Sequence, residues 1–222
     1  YAERWQGATS KITLGISAYD IDTSPREVQK IGIMLKGQLK KAGVSIRLVP
    51  NQETTLSTAT SHHNKLGLAE NKIELLIVAS GRKTIIAEST GAQNISTLAA
   101  RDQGRPRRDA FVGMLPPKFA QIMVNLATGS AANQRVLDPF CGTGVVLQEA
   151  ALLGHSVYGT DLAEKMIRYS QDNLAWLQSS RRNELHWDLH EGDAMTTRWK
   201  QPLQAVVSEV YLGQPFSAPP SA

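Results

Sequence analysis

Hydrophobic positions along the chain recur with two periods, and each change of period marks a predicted element. Ile12, Leu14 and Ile16 alternate with Thr13 and Gly15, the period-two pattern of a strand over 12–19. Ser24-Pro25-Arg26-Glu27 then opens a helix, with a serine to cap it, a proline at its first position and a carboxylate three residues after the cap. That helix places Val28, Ile31, Leu35, Leu39 and Ala42 on one face and stops at Gly43. Residues 44–49 read as a second strand and 56–66 as a helix. Residues 73–79 form the most apolar strand of this half, with 84–87 as its hairpin partner across Ser80-Gly81-Arg82-Lys83. The order β-α-β-α-β-β predicts a small α+β domain over residues 1–100.

The second half reads differently. A helix over 118–127 carries Phe119, Ile122, Met123 and Leu126 on the face expected to dock on a sheet. A short apolar run over 135–140 is broken by Cys141-Gly142-Thr143-Gly144, and 145–153 resumes at helical spacing until Gly154 stops it. A strand follows and ends on Asp161. The helix over 163–177 turns Met166, Ile167, Leu174 and Leu177 inward, and strands over 185–190 and 205–208 end near Asp193 and Glu209. Strands alternating with helices predict a doubly wound parallel sheet, whose ligand sits at the carboxyl ends of the strands.

Composition narrows the partners. The chain has 222 residues, room for one large or two small domains, and 41% of them are hydrophobic, enough for real cores. A net charge of +4 is a mild excess that suits nucleic acid without requiring it. The basic face of the first long helix (Arg26, Lys30, Lys36, Lys40, Lys41) is explained as well by solvation as by RNA. The single cysteine rules out an internal disulfide framework and points to a reducing cytoplasm, and no apolar run suggests a membrane. His62 and His63 are adjacent and point to different faces of a helix, a poor metal chelate. Residues 101–117 are expected to be a basic linker, with four arginines (Arg101, Arg105, Arg107, Arg108) in which planar guanidinium groups suit phosphate. The chain begins at Tyr1 and ends at Ala222, and both ends are expected to be cuts in a longer protein.

The glycine loop decides which ligand. A dinucleotide site wants G-x-G-x-x-G, and here Leu147 stands where the third glycine would be. A Walker-type loop needs a lysine, and none is present. Asp138 precedes the loop instead, and a carboxylate there repels a pyrophosphate but receives an ammonium, directly or through water. The glycines let the backbone approach an uncharged ribose and adenine. Asp161, 23 residues after Asp138, suits a two-oxygen contact with ribose hydroxyls.

Asp138-Pro139-Phe140-Cys141-Gly142-Thr143-Gly144 resembles the first motif of S-adenosylmethionine-dependent methyltransferases that act on exocyclic amino groups of nucleic-acid bases. Together with the Arg105-Pro106 segment and Val124-Asn125-Leu126-Ala127, the match is similar to the tRNA guanine-N2 methyltransferases of guanosine 10, whose catalytic domain follows an RNA-binding THUMP domain. The resemblance implies a Rossmann-like methyltransferase domain over 118–222, C-terminally truncated and short of the usual seven strands, after a diverged THUMP-like domain. It implies S-adenosyl-L-methionine held by Asp138, Phe140, Cys141, Gly142, Thr143, Gly144, Asp161, Leu162, Asp193 and Ala194. It also implies tRNA or another structured RNA as partner, met by Arg101, Arg105, Arg107, Arg108 and Lys118. The family's Asp-Pro-Pro-Tyr after the fourth strand is replaced by Glu209-Val210-Tyr211-Leu212, so the catalytic roles fall to Glu209, the Val210 carbonyl and Tyr211. Two alternatives stay open: a DNA or RNA adenine or cytosine amino-methyltransferase, and a non-catalytic RNA-binding protein with a degenerate pocket.

Overall fold

The alternation at the start of the chain forms β1, Ile12–Tyr19, but water lies on neither face of it. In the computed structural model, which describes residues 2–5, 8, 10–109, 115–182 and 184–210, β1 is a central strand. It pairs in parallel with β2 (Ile46–Leu48) and β3 (Lys72–Ser80), and β3 pairs antiparallel with β4 (Lys83–Glu88). The four strands run in the order β2-β1-β3-β4. Before them lies α1, Ala2–Trp5, whose Trp5 is buried in the core. The connection from β1 to β2 is α2, Pro25–Lys41, and its capping box forms between Ser24 and Glu27. Val28 and Leu39 of α2 enter the core, and Ile31 and Leu35 pack against it. The polar positions of β1 meet a second layer made by α3, Thr58–His63, and the loops around it. There Glu74 is enclosed, and its two oxygens accept the hydroxyls of Ser17 at 2.6 Å and Ser61 at 2.8 Å. Gly15 is required on this face, because a Cβ would lie 2.5 Å from methyls of Leu56 and Leu66.

These elements form one unit, Tyr1–Ile95, and Ser96–Ala222 form a second. In order the second unit has α4 (Ile95–Gln103), α5 (Pro117–Thr128), β5 (Arg135–Asp138), α6 (Val145–Leu152), β6 (Ser156–Asp161), α7 (Glu164–Ser179), β7 (Trp187–Glu191) and β8 (Ala205–Val206). All four strands are parallel, in the order β7-β6-β5-β8. The chain steps outward from β5 to β7 and then returns to the other side of β5. Strand order therefore reverses between β5 and β8, the switch point where an open parallel sheet leaves a crevice.

Helix α6 is apolar almost all round, and every residue from Val145 to Ala151 is buried. It lies on β5 and β6 and touches α5 and α7. Two features differ here from the sequence reading. Helix α5 turns Ala120, Val124 and Thr128 inward; of the face expected to dock, Met123 packs against the core, whereas Phe119, Ile122 and Leu126 are 59%, 43% and 81% exposed. Small side chains on α5 and at Ala150 and Ala151 let the two helices approach closely, a fit that the larger face would prevent.

The second difference is the linker. Residues 95–103 are helical, and the boundary expected at residue 100 falls inside α4. The cause is Glu149, a carboxylate 1% exposed inside α6 that requires a cation. Arg101 supplies it, with Nε 2.5 Å from Oε1 and Nη2 3.0 Å from Oε2. Burial still raises the Glu149 carboxyl pKa, with Arg101 opposing. Beyond α4 the chain is fastened along α7. Asn173 accepts from the Arg107 N–H at 2.9 Å and donates to its carbonyl at 3.0 Å, Arg107 pairs with Asp172 at 2.6 Å, and Asp109 pairs with Lys165 at 2.7 Å.

Close packing makes one position decisive. A Cβ on Gly159 of β6 would lie 2.5 Å from Leu147 and 2.8 Å from Leu189. Gly159→Ala is expected to destabilise this unit by about 1–3 kcal/mol through overpacking, read as a lower midpoint in urea unfolding followed by tryptophan fluorescence. An unchanged midpoint would mean that the α6–sheet interface is looser than described.

Candidate active site

The site is built where the β5–β8 ladder ends. Val207 donates to the Leu137 carbonyl at 2.9 Å, and the next rung requires the N–H of residue 139, which is proline. The chain leaves β5 there and folds against β6: Thr160 Oγ1 donates to the Pro139 carbonyl at 3.0 Å, and the Cys141 N–H donates to the Thr160 carbonyl at 2.8 Å. Gly142 (φ 51°) and Gly144 (φ 80°) take left-handed conformations, and a Cβ on Gly144 would also meet Ser170 Oγ at 2.8 Å. Ser170 is buried under the loop and donates to the Gly142 carbonyl at 2.8 Å. Asn173 donates to the Thr143 carbonyl at 2.8 Å, so the residue that grips Arg107 also holds the glycine loop.

Asp161 ends β6 and organises the loop from the other side. Its Oδ2 accepts the Gly142 N–H and its Oδ1 the Ala163 N–H, both at 2.9 Å. Each oxygen keeps a lone pair for a hydroxyl. The Gly192 N–H donates to the Asp161 carbonyl at 2.9 Å, which brings the loop after β7 alongside. In that loop Asp193 turns the chain by accepting the Met195 N–H at 2.8 Å, and Ala194 is half-buried beside it.

Asp138 is the centre of the arrangement, at 2% exposure. Its Oδ1 accepts the Ser208 hydroxyl at 2.6 Å and the Phe140 N–H at 3.2 Å. Burial pushes its carboxyl from the ordinary 3.8 up to about 7, against the pull of these two hydrogen bonds, and the charges of Asp161 and Glu209 push the same way. Three acids therefore gather at the switch point, and the field there favours a cation. Among the described residues no three His, Cys, Asp or Glu side chains are spaced to share a metal ion.

The remaining candidates divide by exposure. Phe140 and Leu162 are 47% and 73% exposed and flank the crevice with apolar surface. Cys141 and Thr143 are buried, so only their backbone faces a ligand, and burial raises the Cys141 thiol pKa and keeps it neutral. Glu209 and Val210 are exposed directly after Ser208, and Tyr211 lies outside the described residues. Of the basic set, Arg101 and Arg107 are occupied by Glu149 and Asp172. Arg105 is 3% exposed, its guanidinium nitrogens have no hydrogen-bond partner among the described residues, and burial lowers its pKa despite Asp102 nearby. Arg108 and Lys118 are exposed. Ser170, Asn173 and Ser208 are structural members of the site that the sequence reading did not include. Ser170 and Asn173 carry a readable signal, since both interrupt the inward stripe Met166, Leu174 and Leu177.

Residues 105–210 match the family model described as UPF0020, an RMKL-like methyltransferase domain. The segment is thus similar to a methyltransferase domain, for which S-adenosyl-L-methionine is the expected cofactor. A tRNA (guanine(10)-N2)-dimethyltransferase of Methanothermobacter thermautotrophicus is 36% identical over 110 residues, 49% of this chain and 31% of that protein. The enzyme of the same name from Methanocaldococcus jannaschii is 29% identical over 160 residues, 70% of this chain and 43% of that protein. The chain thus spans less than half the length of these curated relatives. Among solved structures, TrmN from Thermus thermophilus is 22% identical, with 86% of this chain and 48% of that chain covered at a TM-score of 0.40. The resemblance to amino-methyltransferases read from the glycine loop is borne out.

The state of Asp138 sets a pH dependence whose sign can be worked out. Its pKa is raised from 3.8 in the unfolded chain to about 7 in the fold, so the folded state keeps a proton that the unfolded chain has released. Stability is therefore lost as pH rises from about 4 to about 7, and it stays lower above that. Asp138→Asn keeps the acceptor for Ser208 and removes the buried charge. It is expected to be more stable than the parent at pH 8, with a flatter melting temperature between pH 4 and 7, and to bind S-adenosylmethionine weakly. A parent-like pH profile in this variant would contradict the buried acid.

Proposed function

We propose that the chain acts as an S-adenosyl-L-methionine-dependent RNA methyltransferase on the exocyclic N2 of a guanine in tRNA, working in the cytoplasm. The observation that carries this reading is the meeting of Asp138, Asp161 and Glu209 at a glycine loop on the switch point. S-adenosylmethionine presents a cationic ammonium, a cationic sulfonium and a ribose diol, the three groups such a crevice suits. Asp138 would take the ammonium and Asp161 the ribose hydroxyls. Gly142 and Gly144 would let the backbone close on the ligand, and Asp193 with Ala194 would border its adenine. The names of the relatives support guanine N2 in tRNA as the target.

When bound, the cofactor supplies an electrophilic methyl on sulfonium. An exocyclic amine is a weak nucleophile because its lone pair is delocalised into the ring. Glu209 would accept one amino hydrogen and the Val210 carbonyl the other, which aims the lone pair at the methyl. Methyl transfer to the nitrogen would release the cofactor as its neutral thioether. Glu209 would take the proton lost from nitrogen and pass it to water. Tyr211 would stack on a base turned out of its helix.

Recognition of the RNA would rest on a smaller basic set than the sequence suggests. Arg101, Arg105 and Arg107 are engaged or enclosed, which leaves Arg108 and Lys118 for phosphates. The N-terminal unit would add RNA contacts as a THUMP-like module, supported by the exposed Arg26, Lys30, Lys40 and Lys41 along α2.

Two measurements test the reading. Glu209→Gln keeps the size of the side chain but removes its charge, and single-turnover methyl transfer to unmodified tRNA is expected to fall by about 100-fold with cofactor affinity nearly unchanged. Nucleoside mass spectrometry should find the methyl on guanine N2. A methylated adenine or cytosine would favour the wider amino-methyltransferase class, and cofactor binding without product would favour a non-catalytic RNA-binding protein. Second, Arg108→Ala and Lys118→Ala should each flatten the plot of log affinity for tRNA against log salt by about one unit, whereas Arg105→Lys should leave it unchanged. Equal effects from all three would mean that the enclosed arginine also meets phosphate.

A further inference from the structure

Ser208 belongs to neither the cofactor set nor the catalytic set, yet it joins them. Backbone pairing between β5 and β8 stops at Pro139, which has no N–H to give the Val207 carbonyl. Beyond that rung the side-chain bond from Ser208 Oγ to Asp138 Oδ1, 2.6 Å long, joins the two strand ends. The residue after Ser208 is Glu209, the acid assigned to the base. The hydroxyl therefore stands between the group that would hold the cofactor's ammonium and the group that would hold the target amine. Its partner oxygen takes only one other donor in the described structure, the Phe140 N–H at 3.2 Å.

We propose that Ser208 is a positioning residue that ties the cofactor acid Asp138 to the strand end carrying Glu209, so that cofactor capture and placement of the base-facing acid are a single event. The proposal rests on the functional reading above. A side-chain bond replaces the missing backbone rung at the switch point. A bound ammonium stabilises the Asp138 carboxylate, a charged carboxylate accepts more strongly from Ser208, and the shortened, charge-assisted bond fixes the end of β8. An empty site leaves the carboxyl nearer its neutral form, in which the Ser208 bond is an ordinary one. The charged groups that bear on Asp138 are Asp161 from β6 and Glu209 beyond β8, and the Cys141 thiol beside it stays neutral.

The test measures S-adenosylmethionine affinity by calorimetry from pH 5.5 to 9 in the full-length protein, for the parent, Ser208→Ala and Ser208→Thr. Loss of the hydroxyl removes a donor to the charged form, so the pH at which affinity reaches half its plateau should move up by about one unit in Ser208→Ala, with affinity at pH 7 about 5–10-fold weaker. Ser208→Thr keeps the hydroxyl and should stay at the parent midpoint. Single-turnover methyl transfer at saturating cofactor should also fall in Ser208→Ala, because Glu209 is no longer held. A residue that only filled space would change the melting temperature and leave the pH midpoint in place. Should the alanine variant not fold, Ser208→Cys, close in size with a weak donor, is expected to move the midpoint in the same direction. A parent-like midpoint in Ser208→Ala, or in Ser208→Cys if that is the variant measured, overturns the proposal. No binding by the parent would instead overturn the functional reading on which it rests.

Discussion

A carboxyl group buried at the end of a strand is the constraint from which the rest of the site follows. Charge on Asp138 is costly in that position, and among the described residues the fold gives it two neutral donors and no cation. The two neighbouring acids increase the cost. Such an arrangement lowers the stability of the empty fold and is rational only if a cationic ligand returns the energy on binding. The elements around Asp138 serve to keep it there. Pro139 ends the ladder, the Thr160 bonds fold the loop against β6, and Asp161 and Ser170 hold the loop's backbone.

The layer behind the loop obeys a second buried charge. Glu149 lies inside a helix with no wet face, and Arg101 neutralises it with two hydrogen bonds. Removing one partner alone would leave an uncompensated charge in the core. The pair therefore fixes α4 on α6, and the following residues are led along α7 to Asn173 and Lys165. Asn173 touches both that segment and the glycine loop, so the two share one anchor. Within 101–109, which look like part of a flexible phosphate-binding linker, Arg101, Arg107 and Asp109 are instead held by side chains of α6 and α7.

How much of this could be read in advance depended on whether the signal was local. The capping box at Ser24, the glycine loop after β5 and the hairpin at Ser80–Lys83 are written in short motifs, and they formed as read. The parallel sheet of the second unit followed from the alternation of strands and helices. The inward face of α5 was not legible, because Phe119, Ile122 and Leu126 give the stronger apolar stripe and only a close-packed neighbour selects Ala120 and Val124 instead. Helix α4 was hidden because Arg101 reads as the start of a basic linker, and the acid that pairs with it lies 48 residues away. Ser208 was hidden for the same reason: its partner is 70 residues back in the chain. Local patterns were legible, and long-range polar partners were not.

The central claim is that the crevice takes a cation onto Asp138, and the protons exchanged on binding test it most directly. Calorimetric titration of S-adenosylmethionine at pH 6.5 in buffers of different ionisation enthalpy reports that exchange. With the Asp138 carboxyl near 7 when the site is empty, binding of the ammonium should release a substantial fraction of a proton. 5′-Methylthioadenosine carries the ribose and adenine but no ammonium, and it should bind weakly and release none. Equal binding of the two ligands, or binding of S-adenosylmethionine with no proton released, would contradict the account.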